Sequence, residues 1–215
     1  MERICSEDTV AQAFIAAGAV RVSFDPMFTW SSGRKAPLYV DGRLIYAYPE
    51  VRSAVIDAVV RALQEQFPEA TAIAGVATGG IPLGAVSADR LKLPFVYVRP
   101  QPKAHGRGRQ VEGELPPGSR AVVLEDILST GRSAVQAALA LKREGVDVLG
   151  VLALYSHRLP EADAALRAVK LRAVALTDFE RLAAALKACG RYDDAALKNL
   201  TEWHRALVSE SPAGR

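Results

Sequence analysis

Short, nearly uninterrupted apolar runs alternate with longer amphipathic stretches over most of this chain. Residues 72–76, 95–98, 121–124 and 146–154 are rich in Val, Ile, Leu and Ala, with few polar positions. Such runs predict parallel strands covered on both faces, where neither side of the pleat meets water. Residues 81–91 and 132–144 lie between them with apolar positions three and four apart, the spacing of one helical face. Upstream, 49–66 reads as a long amphipathic helix. Residues 6–18 read as a shorter one, with Val10, Phe14, Ile15 and Ala17 on one face and Gly18 at its stop. Alternating apolar residues around 20–24 and 38–40 predict short strands, separated by the polar turn Ser31-Ser32-Gly33-Arg34-Lys35. Gly75 and Gly145 read as turn and junction residues. Thr177-Asp178-Phe179-Glu180 reads as a capping box opening a helix. A last helix, about 193–208, carries Leu197, Leu200, Trp203, His204 and Leu207.

This order predicts an α/β fold, a doubly wound and mostly parallel sheet with an N-terminal helix-and-strand addition. It forms one domain over 1–215, with about 1–45 in the addition and about 46–160 in the core. Ligands of such sheets sit beyond the carboxyl ends of the strands. The loops at 77–80, 99–113, 125–133 and 155–160 all follow predicted strands, so the site is expected there.

Composition narrows the class only slightly. Half of the residues are hydrophobic and 24% are charged, as in ordinary soluble domains. A net charge of +3 favours neither a nucleic-acid coat nor a membrane-surface binder. No apolar run approaches the roughly 18 residues of a membrane span, and an N-terminus with Glu2, Glu7 and Asp8 does not read as a signal peptide. Cys5 and Cys189 are far apart and lack His clusters, which fits a reduced, cytoplasmic setting; neither is assigned a role.

The chemistry concentrates in Ala121-Val122-Val123-Leu124-Glu125-Asp126-Ile127-Leu128-Ser129-Thr130-Gly131-Arg132-Ser133-Ala134. A strand ends in two carboxylates, then a loop of small and hydroxyl residues opens a helix. Free N–H groups and partial positive charge at a helix start suit a phosphate. Gly131 allows close backbone approach, and Ser129, Thr130 and Ser133 supply hydroxyls. Glu125 and Asp126 would repel that phosphate, so they are expected to face a sugar, a metal ion or a developing carbocation. A Walker-B-like strand end is disfavoured because no Gly-x-x-x-x-Gly-Lys-Ser/Thr occurs. Ala77-Thr78-Gly79-Gly80 offers further N–H groups for a second phosphate. Residues 99–113 hold five basic side chains counting His105, three glycines and almost nothing apolar, so they read as an exposed lid over a polyanion.

The acidic pair followed by hydroxyl-x-Gly-x-hydroxyl resembles the signature of the type I phosphoribosyltransferases, which bind 5-phosphoribosyl 1-diphosphate (PRPP). Arg99, Lys103, His105, Gly106 and Gly108 are similar to the lid motif of the orotate phosphoribosyltransferases within that family. Phe28-Thr29-Trp30-Ser31-Ser32-Gly33-Arg34-Lys35-Ala36-Pro37-Leu38-Tyr39 is similar to their N-terminal hood. The resemblance spans roughly 20–160. It implies that Glu125 and Asp126 hold the ribose hydroxyls beside an oxocarbenium-like centre. It places Ile127, Leu128, Ser129, Thr130, Gly131, Arg132 and Ser133 around the 5′-phosphate and Thr78, Gly79 and Gly80 at the pyrophosphate. Arg99, Lys103 and His105, with Mg²⁺ held mainly through PRPP, would neutralise that pyrophosphate. Lys103, Glu125 and Asp126 are the catalytic candidates, and Ser129, Arg158 and Ser31 the orotate-binding ones. A homodimer is also implied, with the lid reaching the neighbouring site. This chain departs from the pattern at Ser31, Gly79 and Pro100, where relatives carry Lys, and at His157, where they commonly carry Asp. The alternatives are a purine or uracil phosphoribosyltransferase and a PRPP-sensing regulator. An Arg suited to a carboxylate argues against the first, and the lack of a basic nucleic-acid face against the second.

Overall fold

The computed structural model describes residues 9–30, 33–101 and 109–210. The first part of the chain forms α1 (Thr9–Ala16), β1 (Val20–Val22), β2 (Phe28–Thr29), β3 (Lys35–Ala36), β4 (Leu38–Val40), a 3₁₀ turn at Gly42–Ala47 and α2 (Pro49–Gln66). Next come β5 (Ala72–Val76), α3 (Gly80–Leu91), β6 (Phe95–Val98), β7 (Val111–Glu112), β8 (Arg120–Leu128), α4 (Arg132–Arg143) and β9 (Asp147–Ser156). The chain continues through α5 (Pro160–Ala168), β10 (Ala173–Asp178), α6 (Phe179–Ala188) and α7 (Asp194–Glu210).

The main sheet has the order β10-β9-β8-β5-β6-β7, parallel except for β7. Its strands are apolar because both faces are covered. Along β8, Val122 and Leu124 join the core beneath α1, α2 and α3, while Ala121 and Val123 join the core beneath α4 and α5. Helix α2 shows how sequence produces an element. Pro49 takes the first helical position, where an N–H is not needed, and Val55, Ile56, Val59 and Leu63 form one buried stripe. From β5 the chain crosses by α3 to β6 on one side; from β8 it crosses by α4 to β9 on the other. The order of winding therefore reverses between β5 and β8, and a crevice opens there at their carboxyl ends. Two small antiparallel pairs, β1 with β4 and β2 with β3, form the hood. No helix among the described residues is long and apolar enough to cross a membrane.

Several expectations are corrected. Gly75 lies inside β5, fully enclosed, rather than at a turn; a side chain there would overlap the Gly80 carbonyl, so its absence lets α3 start against the sheet. The signature strand does not end at 124 but continues to Leu128, pairing Glu125 with Ala153 and Ile127 with Tyr155. The helix after Thr177 is capped one residue later than expected: the Asp178 carboxylate accepts from Arg181 N at 3.1 Å, while Thr177 stays in β10. The 99–113 segment is not wholly unpacked, because Val111 is buried and pairs with Val98 at the sheet edge. Helix α5 and strand β10 had no counterpart in the sequence reading.

Candidate active site

Where β5 and β8 diverge, a cavity of about 410 Å³ is lined by the 77–79 turn, Glu125, Asp126, Ile127, Ser129 and Ser133. Trp30, Tyr39, Val40, Asp41, Arg43 and His157 complete its wall from the hood and from the end of β9. Strand pleating sends Glu125 and Asp126 to opposite faces of β8. Glu125 is almost fully buried and accepts from Ser133 Oγ at 2.6 Å. Asp126 accepts from its neighbour's amide, Ile127 N, at 3.0 Å. Burial, and then the charge of Asp126, raise the Glu125 carboxyl well above the usual carboxylate range. Burial raises Asp126 as well, with Arg43 pulling the other way. Among the described residues no cation forms an ion pair with either acid, and Arg43 acts on Asp126 only through its charge.

The neighbouring backbone is fitted closely around these acids. The missing side chain of Gly79 leaves room for the Asp126 carboxylate, which any Cβ would overlap. A Cβ on Gly80 would strike the Leu124 carbonyl. Gly131, at φ 76°, turns the chain from β8 into α4, whose first N–H groups then face the 129–133 turn.

The candidates named from sequence fall into distinct places. Glu125, Asp126, Ile127, Ser129, Ser133, Thr78 and Gly79 share the cavity wall. Thr130 and Gly131 make the turn beside it, Arg132 begins α4 and Gly80 begins α3. Leu128 turns its side chain into the core, and its carbonyl accepts from His157 N at 3.0 Å, so only its backbone adjoins the site. Ser133 serves Glu125 rather than standing free for a phosphate. Arg99 stands at the foot of the lid, its guanidinium 3.5 Å from Glu112. Arg158 does not line the cavity. Its backbone is left-handed (φ 54°), and its exposed guanidinium pairs with Asp178 at 3.2 Å. Ser31, Lys103 and His105 lie outside the described residues.

Sequence reasoning missed much of the opposite wall. Arg43 grips Asp41 through two bonds of 2.7 and 2.8 Å; Asp-Gly-Arg carries no signal for that pairing. The Tyr46 hydroxyl is buried beside Asp126 with no partner among the described residues, and burial and that charge raise its pKa. Trp30 donates to the Leu38 carbonyl at 2.9 Å, lies against His157 with centroids 4.3 Å apart, and meets Trp203 of α7 edge-on. His204, also on α7, donates to the His157 carbonyl at 2.9 Å and stacks on Phe179. The C-terminal helix thus buttresses the wall.

An acidic pair, one member buried and one half-buried, thus stands beside a helix start and a second strand-to-helix turn, the arrangement expected from the sequence. A sequence profile of the phosphoribosyl transferase domain matches residues 45–177, and the chain belongs to that family. The orotate phosphoribosyltransferase of Streptococcus pneumoniae (serotype 4) is 45% identical over 173 residues, 80% of this chain and 82% of its own length. The solved orotate phosphoribosyltransferase of Aeropyrum pernix superposes with a TM-score of 0.73 at 31% identity, covering 86% of this chain and 99% of that one. Within the family, the chain is a member of the orotate phosphoribosyltransferases. Leishmania donovani UMP synthase shares the fold, with a TM-score of 0.79 at 22% identity over 94% of this chain and 43% of its own.

Proposed function

We propose that this chain transfers the 5-phosphoribosyl group of PRPP to a ring nitrogen of orotate, releasing orotidine 5′-phosphate and pyrophosphate. The observation that carries the reading is the Glu125–Asp126 pair, lining one cavity with Ser129, Ser133 and the 77–79 turn. As the bond from the anomeric carbon to pyrophosphate breaks, positive charge develops on the ribosyl centre and negative charge on the leaving group. Glu125 and Asp126 accept from the ribose hydroxyls and hold negative charge beside the forming cation. The start of α4 and the hydroxyls of Ser129, Thr130 and Ser133 seat the 5′-phosphate, with Ser133 exchanging its bond to Glu125 for one to the ligand. The amides of Thr78, Gly79 and Gly80 face the pyrophosphate. Arg99, with Lys103 and His105, adds cations to it, and Ser129 and Arg158 serve orotate, Arg158 on leaving Asp178. Positioning and electrostatics suffice; no covalent nucleophile is needed.

Mg²⁺ fits this arrangement. Among the described residues no group of three or more His, Cys, Asp or Glu forms a cage. Glu125 and Asp126, largely removed from water and with raised pKa values, would nevertheless favour a nearby cation held mainly through substrate oxygens and water. When bound, the ion neutralises pyrophosphate charge. A cytoplasmic homodimer, with the 99–113 segment completing its neighbour's site, belongs to the same proposal. The exposed Met27, Leu44 and Tyr48 around the hood support a protein contact there.

Incubation with PRPP, Mg²⁺ and a panel of bases tests the reading. Loss of orotate absorbance with stoichiometric pyrophosphate release is expected, with purines and uracil inert. Turnover of a purine or uracil in place of orotate would overturn it.

A further inference from the structure

The assigned roles leave the most deeply buried ring of the cavity wall without a task. His157 is 4% exposed and lines the cavity. Its backbone is pinned twice: its N–H donates to Leu128 and its carbonyl accepts from His204 Nε2. Its ring lies against Trp30 and stands edge-on to Tyr155 at 4.8 Å. The side chain is thus held in one orientation by packing on two sides.

Hydrogen bonding fixes which ring nitrogen bears the proton. Tyr155 is fully buried, and its hydroxyl has His157 Nδ1, 3.3 Å away, as its partner. If Nδ1 carried the proton, the Tyr155 hydrogen would lack an acceptor in a dry core, which is costly. Donation from Tyr155 to Nδ1 satisfies both groups and leaves the imidazole proton on Nε2. Burial, with His204 and Arg34 nearby, pushes the His157 pKa down to about 3, so the ring is neutral at physiological pH. No hydrogen bond joins Nε2 to another described residue, and Nε2 is not among the enclosed unpartnered atoms. On a residue that lines the cavity, Nε2 is thus a pre-oriented neutral donor without a partner among the described residues.

We propose that His157 is a specificity-determining residue whose Nε2–H donates to an oxygen on the edge of the pyrimidine. The assignment rests on the orotate reading and refines it. A fixed donor accepts a carbonyl or carboxylate oxygen and rejects a base that presents an amino group at the same point, because two donors would then face each other unpaired. Arg158 reaches the base only on leaving Asp178, whereas His157 already stands on the cavity wall, so the two serve different points of the base.

Steady-state constants for orotate and PRPP in the wild type, His157→Phe and His157→Gln test this. Phe keeps a ring against Trp30 but removes the donor, and should raise KM for orotate about tenfold or more while KM for PRPP stays within about twofold. Gln carries an N–H at similar reach and should recover most of the loss. The chain has three histidines, so a histidine-selective ¹⁵N spectrum offers a second readout in the unaltered protein. The Nε2–H signal that is missing from His157→Gln should shift on addition of orotate and not of pyrophosphate. An unchanged KM for orotate in His157→Phe, equal rises for both substrates, or no shift with orotate would overturn the assignment. Those results would leave the orotate reading standing; that reading fails separately, and takes this inference with it, if the wild type does not consume orotate.

Discussion

The 125–133 end of the cavity is made of backbone and short side chains on the main sheet. The opposite end is made of rings, Trp30, Tyr39 and His157, delivered by the hood and by the end of β9. The first end is set by close steric fit: Gly79 against Asp126, Gly80 against the Leu124 carbonyl, Ser133 bonded to Glu125. The second depends on contacts far apart in sequence, such as Trp30 with Trp203 and His157 with His204. A phosphorylated sugar presents the same anionic and hydroxyl groups whatever base it is to receive, so fixed backbone donors suit it. A base is recognised by shape and edge, which long side chains supply.

That contrast can be broken by substitutions, taken from the largest effect to the smallest. Asp126→Asn keeps the shape but removes charge beside the forming cation; kcat/KM should fall at least about a hundredfold, some 2.7 kcal/mol. A loss below threefold would show that the sheet end works without its acid. Gly80→Ala forces a methyl into the Leu124 carbonyl and should lower stability by about 1–3 kcal/mol, read as a fall in the urea midpoint. An unchanged midpoint would mean that the turn has slack.

Glu125→Gln tests the electrostatics of the same end. The folded-state pKa of Glu125 is raised, so the native protein holds this proton to higher pH than the unfolded chain does. The wild type therefore loses stability as pH rises above the ordinary carboxylate range, and regains it on acidification. The Gln variant should melt higher than wild type near pH 8 and converge with it near pH 4. A constant gap across that range would remove the charge argument.

At the ring end, Trp30→Ala should raise KM for orotate by about three- to tenfold with little change for PRPP, the scale of one lost aromatic contact. Equal effects on both substrates would dissolve the division into two ends. Arg43→Ala should shift stability by less than about 1 kcal/mol, since the Arg43 side chain is 54% exposed and its pair with Asp41 is screened. A larger change would make the Asp41–Arg43 pair a structural element of the hood.

Much of the sheet end was legible. The limits of α2, β5 and β6 match the predicted ones, because their apolar periodicity is strong and uninterrupted. The end of β8 is not legible in the sequence, because two carboxylates look like an exposed terminus, whereas pairing with β9 carries the strand through them. Helix α5 had usable signals in Pro160, Glu161 and Asp163 at its start and Arg167 at its end. His157 and Arg158 show the opposite case. Adjacent in sequence, they are sent apart by a left-handed backbone at Arg158 and by Asp178, which the parallel β9–β10 pairing brings alongside.

The amino-acid order by itself determined the alternating α/β architecture, the 129–133 turn at the start of α4 and the acids beside it, because those features are local: periodicity, small residues and a helix start. Only the tertiary structure decided which rings meet on the cavity wall, how Arg43 and Arg158 are paired, and which nitrogen of His157 meets Tyr155. Those outcomes depend on side chains from the hood, β9, β10 and α7 converging in space, and no local pattern encodes where distant segments will pack.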